Sequence, residues 1–211
     1  MRDSQRSIQS TRRRFLTGAG SVAAVGIAGC LGQQSDPPDV PTLGDRDAAV
    51  TVQVFEDFAC PHCAAYSLEH FPQIRENYID PGDIRYEYYN FPIPVDPTES
   101  WRAANAARYV YEAVGNDAFW NYSKGLYANQ SSLGPSLYAE RARAVGADPA
   151  AVRTAAVDRT RQDAVEASRQ YGLDLGVEGT PWIVVDGQAV TTYDYATVST
   201  AIDDALASES G

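Results

Sequence analysis

Lysine is almost missing from this chain: Lys124 is the only one in 211 residues. Setting aside the first thirty positions, which hold five arginines and Asp3, leaves 27 acidic against 12 basic residues, a net of −15. A chain so charged has no basic face to lay on phosphates, which excludes a nucleic-acid binder. The acids are spread among aromatics and aliphatics, which excludes a long disordered acidic tail. Long hydrophobic runs are missing too. The apolar stretch at 17–29 is shorter than the roughly twenty residues a membrane-spanning helix needs. Cysteine is scarce, with only Cys30, Cys60 and Cys63, and the histidines are His62 and His70. A four-ligand zinc site would need nearly all of these, and His62 lies inside the loop between two of the cysteines. A hydrophobic fraction of 44% is enough for a core, and the length suits one domain, or one domain carrying a sizeable insertion.

Residues 1–30 read as a targeting segment, a signal peptide that stands apart from the fold. Thr11-Arg12-Arg13-Arg14-Phe15-Leu16 resembles the twin-arginine export signal. Ile27-Ala28-Gly29-Cys30, at the end of the apolar run, resembles a lipobox, with small residues that admit a peptidase and Cys30 as the lipidated N-terminus of the mature chain. Gly18 to Ala23 mimics a dinucleotide-binding glycine pattern, but it follows no strand. Residues 31–47, rich in Gln, Pro, Asp and Gly, read as a flexible linker between a lipid anchor and a folded domain at 48–208. Dispersed acids with one lysine resemble the surface of a protein from an extreme halophile.

The order of elements follows from pattern. A buried strand is expected at 49–55, a helix from the cysteine pair to about 77, and a Tyr-rich strand at 84–91. Residues 98–171 read as helical, with Gly146 ending one helix, Asp148-Pro149 starting the next, and the aromatics Tyr109, Tyr111, Phe119, Trp120 and Tyr127 as core. A hairpin turns at Asp186-Gly187 between strands at 182–185 and 188–190, and a last helix covers about 195–207.

The chemistry concentrates in Cys60-Pro61-His62-Cys63. Two cysteines at this spacing at a helix start can close a small disulfide ring. The unpaired N–H groups of the first turn and the helix dipole stabilise a thiolate on the first sulfur. Pro61 loses nothing in that turn. The His62 imidazole can donate a hydrogen bond or a positive charge to the Cys60 sulfur. Stabilising the thiolate favours the reduced form and so makes the disulfide a stronger oxidant. Cys60 is expected to be the exposed sulfur that forms the mixed disulfide with a substrate, and Cys63 the buried, resolving one.

This motif after an apolar strand, together with Gly179-Thr180-Pro181-Trp182, resembles the DsbA family of thiol–disulfide oxidoreductases over about 48–208. The resemblance implies an α/β, thioredoxin-like fold with a helical insertion. It also implies a redox-active Cys60–Cys63 disulfide, and a cis-proline loop where Thr180 and Pro181 bind an extended substrate segment. Catalysis would use Cys60, Cys63 and His62, with no metal and no cofactor. The partners would be exported proteins with free thiols and an unidentified redox partner, at the extracytoplasmic face of a membrane. Many thioredoxin-like proteins carry a buried acid six residues before the first cysteine, where this chain has Val54; Glu56 and Asp57 are both candidates to replace it.

Other readings of the same residues stay open. The site could run in the opposite direction, as a reductase or isomerase, or the chain could be a non-catalytic lipoprotein that only holds unfolded chains. A purely structural disulfide restrains little at this ring size. His70 reads as a surface or packing residue. Asn121 and Asn129 each begin a short glycosylation-type sequon.

Overall fold

A computed structural model describes residues 37–209. The twin-arginine segment, the apolar run and Cys30 lie outside the described residues. The frame is a five-stranded mixed sheet in the order β1-β3-β2-β4-β5. Its strands are β1 (Thr42–Gly44), β2 (Val50–Glu56), β3 (Ile84–Asn90), β4 (Trp182–Val185) and β5 (Gln188–Ala189). The β-branched strand β2 is central, parallel to β3 and antiparallel to β4. Alternation along β2 sends Val50, Val52 and Val54 into the larger core cluster and Phe55 into a smaller cluster with Tyr89 and Phe91.

The larger cluster is shared with the helix that follows the cysteines, with α8 (Tyr195–Glu209), and with α3 (Glu99–Ala113) and α4 (Asn116–Tyr127) of the inserted block. Three more helices complete the block: α5 (Pro135–Ala144), α6 (Pro149–Val157) and α7 (Gln162–Asp174). The opposite face of the sheet is covered by α7. Tyr171 stacks on Tyr89 at 5.1 Å between ring centroids, and Tyr89 stacks on Phe55 at 4.7 Å. Gly172 permits this approach, because a Cβ there would lie 2.8 Å from the Phe91 ring. The chain therefore has the expected thioredoxin-like α/β fold with a helical insertion.

Local signals worked where a few residues determine the geometry. Asp148 caps α6 through bonds from the N–H groups of Ala150 (2.8 Å) and Ala151 (3.2 Å), with Pro149 in the first turn. Asp186 and Gly187 both have positive φ, as a two-residue hairpin turn requires. Two features differ from expectation. Residues 42–44, expected within the linker, form β1 on the edge of β3, and Val40 beside them is buried. The helix after the cysteines is also not a plain α-helix. It alternates α1 (Pro61–Ala65) and α2 (Phe71–Ile74) with wider π-helical turns at Tyr66–His70 and Arg75–Ile79. Pro72 has no N–H to continue an α-helical ladder, and the N–H of Phe71 reaches back five residues to the Tyr66 carbonyl.

Candidate active site

The chain leaves β2 at Glu56 and turns through Asp57 into the tip of α1. The Asp57 carboxylate shapes that turn by accepting from the N–H groups of Ala59 (2.8 Å) and Ile93 (2.8 Å). Cys60 is the extended residue capping α1, and among the described residues no side chain caps the helix at that end. Its first-turn donors are therefore left for the sulfur. The Thr180–Pro181 peptide is cis, and the Cys60 thiol donates to the Thr180 carbonyl at 3.4 Å. The Cys63 sulfur accepts from the Asp57 N–H at 3.4 Å. The expected residues Cys60, Cys63, Thr180 and Pro181 thus meet at one place, with both cysteines as free thiols.

The two sulfurs are electrostatically opposite. Cys60 is brought down to about 5, chiefly by a hydrogen bond from Cys63, with help from the Thr180 side chain and the N–H groups of Cys63 and His62; burial works against the shift. Among the described residues the Thr180 hydroxyl has no other partner, which leaves it available to a thiolate. Cys63 is pushed well above the usual thiol range by burial, by its bond to Cys60 and by the charge of Glu56. At neutral pH the arrangement is one thiolate beside one thiol, with the ionised sulfur at the helix tip.

Exposure does not separate them as expected. Cys60 is only 3% exposed and Cys63 is fully buried. The Thr180 carbonyl lies against the Cys60 sulfur, so the helix tip is roofed by the cis-proline loop. The second correction concerns His62. Its imidazole does not sit on the Cys60 sulfur. Nδ1 lies 2.9 Å from the Tyr193 hydroxyl, and the hydrogen bond His62 provides to Cys60 is that of its backbone N–H. His70 packs against the Tyr193 ring as well, with ring centroids 6.1 Å apart. Both histidines therefore face Tyr193.

The strand register decides which acid lies under the cysteines. Val54 is buried in the core, and Glu56, two residues on, lies on the same face and is 3% exposed. Burial raises Glu56 to about 8, against the lowering effect of Ser67, whose hydroxyl donates to Oε1 (2.9 Å) and Oε2 (3.2 Å). Asp57 is raised to about 6, again by burial. A cavity of about 160 Å³ adjoins Glu56, lined by Ser67, Tyr86, Trp120, Lys124 and Tyr127 among others.

One site residue carried no sequence signal beyond its place inside a sequon. Gln130 Nε2 donates to the carbonyls of Phe58 and Cys60, both at 2.8 Å, and so straps the inserted block to the active-site turn. Neighbouring Asn129 gives its amide to the Gly125 carbonyl (2.9 Å), and Asn121 gives its own to the Asp117 carbonyl (3.0 Å).

Residues 36–204 match the family model described as thioredoxin. The chain belongs to the thioredoxin family. Among curated relatives, disulfide bond formation protein D of Bacillus subtilis is 27% identical over 173 residues, covering 79% of this chain and 77% of that protein. The crystal structure of oxidised BdbD from Bacillus subtilis superposes with a TM-score of 0.75 at 26% identity, over 82% of this chain and 97% of that one. The Chlamydia trachomatis DsbA structure shares the fold, with a TM-score of 0.71 at 20% identity over 82% and 94% of the two chains. This thioredoxin-family member is a DsbA-like thiol–disulfide oxidoreductase.

Proposed function

We propose that this oxidoreductase works as an exported, lipid-anchored oxidase that donates the Cys60–Cys63 disulfide to exported proteins with free thiols. The observation that carries the direction is the Cys60 thiolate, held at about 5. A thiolate this stable favours the reduced pair, so the disulfide gives itself up readily. The same bias weighs against a reductase. The printed name of the Bacillus subtilis relative, a disulfide bond formation protein, agrees with the oxidative direction.

In the proposed cycle a substrate thiolate attacks Cys60 Sγ, the Cys60–Cys63 bond breaks, and Cys63 leaves. Cys63 is a poor thiolate, so its departure calls for a proton. Glu56, held largely protonated at neutral pH, is the donor we assign, filling the role that Val54 cannot. The substrate's second thiolate then attacks the mixed disulfide at the substrate sulfur and expels Cys60 as a thiolate. Two electrons pass from substrate to protein, and an unidentified redox partner takes them up. An extended substrate segment would lie along the Thr180–Pro181 loop.

The function is tested by mixing the oxidised chain with a reduced, unfolded two-thiol protein. Stoichiometric formation of the substrate disulfide is expected; a chain whose disulfide persists under these conditions is not an oxidase. Export rests on Arg12, Arg13 and Cys30, all outside the described residues, and the halophilic setting rests on composition. Arg12→Lys with Arg13→Lys should hold the full-length chain in the cytoplasm, and Cys30→Ala should free the exported chain from the membrane fraction. Normal export of the double variant would contradict the twin-arginine route.

The Glu56 assignment has its own test. The folded-state value is raised from 4.5 to about 8. Between those values the folded chain holds a proton that the unfolded chain has lost. The contribution is intact below about 4.5 and falls away as pH rises through 8. Glu56→Gln keeps an acceptor for Ser67 and removes the titration. Denaturant unfolding of the oxidised proteins should show the variant gaining about 4 kcal/mol on the parent between pH 5 and pH 9. Parallel pH profiles would remove Glu56 as the buried proton carrier.

A further inference from the structure

Tyr193 lies 131 residues from His62 in sequence, on the segment between β5 and α8. Its position is well held. Asp194, the next residue, caps α8 by accepting from the Thr197 N–H (3.0 Å) and hydroxyl (2.9 Å), and it also bonds Thr192. The Tyr193 ring is tilted against both histidines, with centroids 5.9 Å from His62 and 6.1 Å from His70. Its hydroxyl meets Nδ1 of His62 at 2.9 Å. A tyrosine hydroxyl both donates and accepts, so it can serve Nδ1 of a neutral or a charged imidazole. Among the described residues no hydrogen bond links that imidazole to the Cys60 sulfur. His70 also packs against the Tyr193 ring, and the neighbouring Asp194 carboxylate is committed to the α8 terminus.

We propose that Tyr193 is a positioning residue that holds the His62 imidazole away from the Cys60 sulfur and so limits the oxidising strength of the pair. The imidazole belongs to the first turn of α1, whose tip carries the Cys60 sulfur, and freed from Tyr193 it is an available donor. Removing only the Tyr193 hydroxyl leaves the ring packing and frees Nδ1. The released donor then stabilises the Cys60 thiolate. This inference rests on Cys60 and Cys63 being the redox pair, and the two ideas fail separately. A parent chain with no reversible disulfide in glutathione buffers would sink the redox reading before any variant is compared.

The test is Tyr193→Phe in the parent and in a His62→Ala background, with Cys60 ionisation followed by thiolate absorbance against pH. Tyr193→Phe is expected to raise the acid dissociation constant of Cys60 about tenfold. The glutathione equilibrium at pH 7 should move by the same factor toward the stronger oxidant, about 30 mV. In the His62→Ala background the same substitution should change neither. Histidine ¹⁵N spectra of the single variant should show Nδ1 of His62 released from its hydrogen bond. An unchanged or weakened acidity in Tyr193→Phe, or an equal change with His62 absent, overturns the proposal. A merely structural role for Tyr193 predicts the second of these.

Discussion

Reduction of the Cys60–Cys63 pair is expected to destabilise the protein at pH 5 and to stabilise it at pH 8. Two opposing effects set this inversion. Closing a four-residue disulfide ring restrains the unfolded chain by about 2 kcal/mol in the chain-entropy picture, independent of pH. The reduced form gains through Cys60, whose value falls from 9.0 in the unfolded reference to about 5 in the fold. That depressed value contributes nothing below about pH 5 and grows as pH rises toward 9, because the folded chain has then released a proton that the unfolded chain still holds. The gain is about 3 kcal/mol at pH 7 and about 4 at pH 8. The thiolate therefore outweighs the cross-link from roughly pH 6.5 upward, and by about 2 kcal/mol at pH 8. Urea unfolding of both redox forms at pH 5 and pH 8 checks this. An oxidised form that is more stable at both pH values would mean that Cys60 is not held as a thiolate.

The two cysteines should also fail in different ways when replaced. Cys60→Ser removes the only sulfur at the helix tip, and a serine hydroxyl is not ionised there. Disulfide delivery to a reduced protein should fall to the uncatalysed rate. Cys63→Ser leaves the Cys60 thiolate able to attack substrate disulfides, with no internal thiol to release the adduct. That variant should accumulate a one-to-one mixed disulfide that persists on a non-reducing gel and disappears with dithiothreitol. The reverse result, adducts from Cys60→Ser and none from Cys63→Ser, would exchange the roles of the two sulfurs. A cellular function left intact by Cys60→Ser would favour a holding lipoprotein over an enzyme.

Much of this site was legible in the chain because its signals are local. Pro61 next to Cys60 marks a helix start, Asp148-Pro149 marks another, and Asp186-Gly187 suits a two-residue turn; each depends on a few neighbouring residues. Thr180-Pro181 was found by resemblance, and the structure brings it to the Cys60 sulfur. What escaped was set by partners far along the chain. Gln130 reaches the active-site turn across 70 residues, and nothing in its own neighbourhood marks it. His62 was assigned to the nearest sulfur in sequence, whereas its hydrogen-bond partner, Tyr193, arrives from the far side of the sheet's last hairpin. Choosing between Glu56 and Asp57 needed the register of β2, which fixes the face on which Val54 and Glu56 lie. β1 is only three residues long and follows a Pro-rich stretch, so its strand character comes from pairing with β3 rather than from propensity. Pro72 was visible, but the wider turns it brings depend on how the following residues recover their backbone bonds.

The central claim is that the Cys60–Cys63 disulfide is an oxidant because the fold stabilises the Cys60 thiolate. Equilibrating the folded domain with glutathione at pH 7, in concentrated salt, measures this directly. The account predicts a potential on the oxidising side, nearer the value of about −120 mV known for DsbA than the value of about −270 mV known for thioredoxin. A potential near that of thioredoxin would contradict it.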